Sequence, residues 1–489
     1  MLFREHCIPR GIQIWFRVNL YMTLGLFVFD WASPIPSLGG FDIFRTALFL
    51  LFTAMLVCLF YDKGQYFRQL ASILNQSKFI FWSIFTYVLM SIVTLIYSKY
   101  PAFSIGRYFS FIQSLFVMFC VYYYIFGDSN KAMINKRLLS LYLVFGVAAA
   151  LVILNAFLGY FIGYHYVYVR RISTIQDYNQ YSFLLLIGFI CIIYYLLQVN
   201  ISFPKRAMLL GGSASLFVPG IILAGSRRSL VLLFVVSISI ILYVIINCAY
   251  KYIKRRQKRQ ILQEMGTLVL CIGLAFISYL LFNQELNQVA EMRANERSVS
   301  NETSSSQEFY EGDILDNRVI EDALDTRYST IKDGSGLSTR KRIWNIAINE
   351  ICKADFKQFV FGFGSSHSWD IYDQKDNLLV KQLRKQYHID DKKTHWMNPH
   401  NLFLQDMLEG GLSLLMLQLC VIISLCCSLK KILVFSPDRC GFIVLLYLVQ
   451  FATLFLSSSY GIIYHKFVWV IIGIQIAERY RLSQIDNLT

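Results

Sequence analysis

The sequence is poor in charge: only 16% of its 489 residues are Asp, Glu, Lys or Arg. A soluble chain of this length would carry more, so a set of water-soluble domains is not expected. Several short catalytic motifs are also missing. No GxxxxGK phosphate loop occurs, which leaves nucleotide-driven chemistry without support, and no GxSxG elbow marks a serine hydrolase. There is no HExxH, His395 and His400 are not at i,i+4, and no Asp-x-Asp lies in a candidate outer loop. No metal site is therefore expected. Cysteine adds no chemistry either. Of the 11 cysteines only Cys352 falls in a hydrophilic segment, which excludes an internal disulfide there. The others, among them Cys58, Cys120, Cys271, Cys426 and Cys427, read as small apolar packing residues. The N-terminus has no small-residue cleavage site behind a short apolar core, so the first span is expected to be retained.

What the sequence has in quantity is apolar surface. Apolar residues make up 56% of the chain, and the mean hydropathy is +0.48. They fall in blocks of about 18–25, the helical length that crosses a hydrocarbon core of ~30 Å. The expected fold is an all-α polytopic membrane protein of about twelve transmembrane helices. These are drawn at 14–32, 42–61, 79–97, 108–126, 138–163, 181–199, 207–224, 229–249, 265–283, 401–428, 440–458 and 463–478. One large extracytoplasmic loop separates the ninth from the tenth. The organisation is thus helices 1–9 over residues 1–283, a loop with short helices over 284–399, and helices 10–12 with a cytoplasmic tail over 400–489. No internal repeat is visible.

The net charge of +15 does not point to nucleic acid. Its lysines and arginines sit in short clusters at every second connection, including Lys63/Arg68/Lys78, Lys131/Lys136/Arg137, Lys205/Arg206, the run Lys251–Arg259, and Lys430/Lys431/Arg439. With twelve spans these all fall on one side, together with Arg4, Arg10, Arg479 and Arg481. The positive-inside rule then puts both termini in the cytoplasm and residues 285–399 outside. That outer segment begins acidic (Glu285, Glu291, Glu296, Glu302). Within it, 297–313 is Ser-rich and reads as flexible. Residues 339–353 have helical spacing, capped by Ser338 or Thr339, and 359–364 (FVFGFG) reads as an extended piece with a glycine turn.

The informative arginines break the charge rule. Arg170 and Arg171 lie in an outer loop, Arg227 and Arg228 where the seventh and eighth spans meet outside, and Arg340 and Arg342 at the start of the outer helix. An arginine at that boundary needs a reason. Its planar fork matches phosphate oxygens, and a helix start after Gly225-Ser226 adds free N–H groups for an anion. The competing reading is snorkelling to lipid headgroups. His400, just before an apolar span and beside Asn401 with Glu409 two turns on, can act as a general base near neutral pH. The competing reading is a packing or headgroup-level histidine. His367, His388 and His395 share the outer segment.

Read in order, these residues resemble the O-antigen ligase and O-antigen polymerase superfamily. The elements are Gly225-Ser226-Arg227 entering a span, then Arg340 four residues before Trp344. The glycine turn Phe361-Gly362-Phe363-Gly364 follows. Last comes Pro399-His400-Asn401-Leu402 running into Glu409-Gly410-Gly411. The matched region covers roughly residues 165–425. Arg228 stands beside Arg227 where family members often have a small residue, and Arg342 competes with Arg340. The resemblance implies an inverting, metal-independent glycosyltransferase without cofactor, using an undecaprenyl diphosphate-linked glycan donor and a glycan or lipid-core acceptor. Carried across, His400 is the base, and Arg227 and Arg340 hold the diphosphate. Arg228, Arg170, Arg171, Arg342, Asn401 and Glu409 line the substrate. It further implies a bacterial inner membrane location, an active site facing outward, membrane lipid as a partner, other polysaccharide assembly proteins as further ones, and no nucleic acid. Polymerisation of lipid-linked repeats is the leading expectation, and ligation to lipid A-core or to protein is the alternative with the same chemistry. From other classes, a transporter or flippase and a scaffold are the competing readings.

Overall fold

The computed structural model describes residues 8–29, 43–62, 78–126, 131–162, 178–255, 258–301, 335–374, 376–386, 394, 397–435 and 472–474. Every secondary-structure element among them is helical. In chain order they are α1 (Arg10–Phe29), α2 (Ile43–Asp62), α3 (Lys78–Ile96), α4 (Pro101–Phe126), α5 (Lys131–Ile162), α6 (Tyr178–Gln198) and α7 (Phe203–Leu223). They continue as α8 (Arg227–Arg255), α9 (Lys258–Asn301), α10 (Ser335–Lys353), α11 (Phe356–Phe361), α12 (His367–Asp370), α13 (Leu378–Gln386) and α14 (Leu402–Phe435). Helix is the expected solution for chains this apolar, because in lipid each backbone N–H and C=O must find its partner within the segment.

Eight of the described helices contain a stretch long and apolar enough to cross a membrane, and Ser229–Ile245 is a shorter apolar stretch. The protein is a multi-pass membrane protein. The expected first span corresponds to α1, which is not one of the eight. The expected spans 440–458 and 463–478 lie outside the described residues, apart from 472–474. The count of twelve therefore stays an expectation.

The chain divides into two compact units. One comprises Met1–Thr23, Thr46–Leu138 and Gly336–Thr489, the other Leu24–Arg45 and Leu139–Ser335. In the second, α6, α7, α8 and α9 pack together. Their approach is close: a Cβ on Gly188 of α6 would collide with the Ala149 side chain of α5. Small residues at helix contacts do this in membranes, where packing rather than water drives association.

In the first unit α14 lies along α3, and the described residues between 336 and 401 form a cap with its own core. Ile343, Ile346 and Ala347 of α10, Ile371 and Tyr372 after α12, Val380 and Leu383 of α13, Met397 and Leu408 form that core. Each large side chain buried this way contributes about 1.5–3 kcal/mol. Tyr372 also donates to the Ile343 carbonyl at 3.0 Å. The expected connecting loop is, over this stretch, a folded unit.

Three local expectations change. Residues 359–361 belong to a helix rather than to an extended piece, because Asp355 and Gln358 form a reciprocal capping box at the start of α11. α10 begins at Ser335, a turn before the expected caps Ser338 and Thr339. α9 runs unbroken past residue 283 to Asn301, so 297–301 is helical rather than flexible. The remainder of that stretch, 302–313, lies outside the described residues.

Candidate functional site

The site in the first unit is built around a broken helix. α14 carries a non-helical residue, Gly411 (φ 64°, ψ −161°). The break takes the Leu408 and Glu409 carbonyls out of the helical ladder. The turn after α11 replaces the lost donors: Phe363 N–H donates to Leu408 O at 2.8 Å and Gly364 N–H to Glu409 O at 3.1 Å. Only glycine permits this crossing. Gly362 has φ 77°, and a Cβ on it would lie 2.5 Å from the Glu409 carbonyl. A Cβ on Gly411 would lie 2.5 Å from Gly362 N. The glycine turn read from the sequence and the glycine pair of α14 are thus two halves of one crossing.

The same turn is held from the other side by the α3–α4 connection. Tyr97 OH donates to Phe361 O at 2.5 Å. Ser98 Oγ donates to Ser365 O at 2.7 Å, and Ser365 N–H to Thr94 O at 3.0 Å. Asp370 accepts from Tyr100 OH at 2.7 Å and from Lys99 Nζ at 3.1 Å. Burial raises the Asp370 carboxyl, but its Tyr100 and Lys99 hydrogen bonds outweigh burial and hold it below the usual range. His367 sits between two carboxylates, with Nε2 3.3 Å from Glu350 and Nδ1 3.8 Å from Asp370, and stacks on Phe363. Its hydrogen bond lowers the Glu350 carboxyl.

His400 lies where the cap meets α14. Trp344 Nε1–H of α10 donates to Pro399 O at 3.0 Å, joining α10 to the residue before His400. Asn398 Oδ1 accepts the His400 N–H at 2.9 Å. His400 itself has φ 47°, a left-handed conformation that costs a non-glycine residue of order 1–3 kcal/mol. Arg340 stands one helical turn before Trp344 and shares its face. Arg340 is half-buried, whereas Arg342 is exposed. The imidazole is held down to about 4, first by burial and then by the Arg340 charge. The Arg340 charge is thus felt at His400, while Arg342 faces solvent.

Asn401 caps α14: its Oδ1 accepts from Phe403 N–H at 2.9 Å and Leu404 N–H at 3.2 Å. Glu409 is buried, accepting from Ser368 Oγ at 2.5 Å and from Gln405 Nε2 at 3.2 Å. Nearby, Asp406 accepts from Tyr87 OH at 2.8 Å. Arg227 and Arg228 are the first residues of α8, in the second unit. Ser226 before them receives the Ser229 N–H at 3.3 Å. Arg170 and Arg171 lie outside the described residues. Among the described residues no group of three or more His, Cys, Asp or Glu is placed to hold a metal ion. Sequence reasoning missed Tyr97, Ser98, Lys99, Tyr100 and Ser368. For the first four the signal is a polar interruption, YSKYP, between two spans; Ser368 has none.

Fold and site together define a polytopic helical membrane protein with a polar cap presenting an imidazole and a guanidinium. Residues 212–419 match the family model described as O-antigen ligase, so this stretch is similar to that family. No curated protein matches the chain. The family match supports a membrane glycosyltransferase of the O-antigen ligase and polymerase type.

Proposed function

We propose that the protein polymerises undecaprenyl diphosphate-linked oligosaccharide repeats into a surface polysaccharide, at the outer face of the bacterial inner membrane. The observation that carries this reading is the half-buried Arg340 beside His400 at the head of α14. The acceptor hydroxyl attacks the anomeric carbon while His400 takes its proton. The bond from that carbon to the diphosphate oxygen breaks with inversion, and undecaprenyl diphosphate leaves. That leaving group is already good, so cations and positioning supply most of the catalysis. Arg340 meets the diphosphate charge, and Arg227, with the free N–H groups opening α8, is its proposed second holder. Arg228, Arg170 and Arg171 are proposed to extend the substrate surface. The reaction needs no metal, so a chelator is expected to leave the rate unchanged.

Ligation of a finished glycan to a lipid core or a protein uses the same step, and the ligase description of the family model favours that second reading. The deciding experiment supplies purified protein with lipid-linked repeats and no other acceptor. A ladder of lengthening products supports polymerisation. Transfer only after lipid-core or protein acceptor is added selects ligation. Retention of transfer by His400→Ala would remove the base from either scheme.

A further inference from the structure

α11 is a six-residue helix, yet three phenylalanines on it are open: Phe356 is 84%, Phe359 41% and Phe361 49% exposed. Clustered apolar exposure of this kind marks an interaction surface. Its position relative to the apolar spans bears on what covers it. α3 ends at Ile96 and α4 restarts at Pro101, so residues 97–100 mark where this pair of spans turns at one membrane face. α11 is fastened to that turn by the Tyr97 OH bond to Phe361 O. The residues after it bond to Thr94 O at the end of α3 and to Leu408 O and Glu409 O of α14. These three carbonyls define one level, and α11 lies at it.

The apolar surface continues inward from that level. On α3 the exposed row is Trp82, Phe85, Leu89, Ile92 and Ile96, spaced three and four apart as a lipid-facing stripe must be. On α14 the exposed residues Leu412 and Met416 begin where the break ends. The flank of α11 is polar, with Asp355 and Lys357 exposed. Apolar aromatic residues beside a charged flank, at the end of a transmembrane stripe, suit the boundary between headgroups and acyl chains. The non-helical backbone at 362–366 is compatible with that depth because neighbouring protein satisfies it.

We propose that Phe356, Phe359 and Phe361 of α11 insert into the bilayer boundary and that bulk phospholipid is their partner. The anchor sets the height of the site. His400 precedes α14, whose first residue Leu402 lies seven residues, roughly 11 Å of helix, beyond Glu409, so the anchor would hold the imidazole above the acyl chains. The anchor does not depend on the glycosyltransferase reading, since the contact is with membrane lipid rather than with substrate.

The test uses the full-length protein in nanodiscs of phosphatidylethanolamine and phosphatidylglycerol. The photoreactive analogue p-benzoylphenylalanine replaces Phe359 in one sample and the exposed Lys381 of α13 in another. After irradiation, mass spectrometry reads the mass added to each labelled peptide. A phospholipid adduct at position 359, at least tenfold above that at 381, is the expected result. No lipid adduct at 359, or equal adducts at the two positions, overturns the proposal. A protein adduct at 359 in place of lipid shows the face to be a protein docking site and overturns it as well.

Discussion

Trp344 and Pro399 are joined by a single hydrogen bond, from the indole Nε1–H to the carbonyl oxygen at 3.0 Å. The bond ties the helix that carries Arg340 to the residue that precedes His400. Trp344→Phe keeps an aromatic ring in the cap core and removes only the donor. The expected stability loss is about 1 kcal/mol. The expected activity loss is larger, roughly 10- to 100-fold in kcat, because small displacements of a catalytic group are costly. Turnover of lipid-linked substrate at matched protein levels checks this. Unchanged turnover would show that the tie does not position the base.

His400 is held down to about 4 by burial and by Arg340. The imidazole is therefore neutral, and able to accept a proton, at any pH well above that value. The acid limb of kcat/KM for the free enzyme is expected near pH 4. Arg340→Gln removes the cation that disfavours imidazolium, so the His400 pKa rises and the acid limb moves to higher pH. A pH profile of residual activity in that variant reads the shift directly. A limb that stays in place or moves down would mean that Arg340 does not act on this imidazole.

Gly411→Ala is expected to be among the most damaging single-methyl changes in the cap. The backbone conformation, a region nearly confined to glycine, costs an L-residue of order 1–3 kcal/mol. In addition, the new Cβ would lie 2.5 Å from Gly362 N and 2.6 Å from the Val360 carbonyl carbon. Thermal unfolding of the purified variant in detergent should show a clearly lowered midpoint. An alanine tolerated without a shift would argue against the crossing.

Glu409 separates two roles by substitution. Glu409→Gln keeps an acceptor for Ser368 and Gln405, whereas Glu409→Ala removes the acceptor from both buried donors, at about 1–3 kcal/mol. Alanine should lower stability and activity together, and glutamine should recover most of both. If glutamine is as inactive as alanine while remaining stable, the negative charge itself is needed, as a substrate contact would require.

Much of this was legible in the residues. Apolar blocks announced the helices, since a long run of Leu, Ile and Phe has no other solution in lipid. Arg340 could be favoured over Arg342 because its four-residue spacing to Trp344 matches the pattern of the resemblance; in the structure Arg340 is half-buried and Arg342 exposed. What stayed hidden depended on contacts distant in sequence. Nothing in YSKYP says that Tyr97, Ser98, Lys99 and Tyr100 will meet residues near 361–370. The FVFGFG stretch read as extended because its run of β-branched and aromatic residues outweighed a cap, Asp355, that lies outside it. The resemblance implies Glu409 and Asn401 as substrate contacts; their bonds to Ser368 and to the Phe403 N–H were hidden because spacing gives position along a helix but not the partner a side chain finds.

The interruption at Gly411 has a mechanical consequence. An unbroken rod would carry every tilt of its buried portion straight to its outer end. Here the ladder is cut at that point, and the nine residues beyond it are fastened to neighbours in the cap. A tilt of the lower portion as the bilayer thickens or thins is expected to bend the chain at this joint before it reaches the outer end.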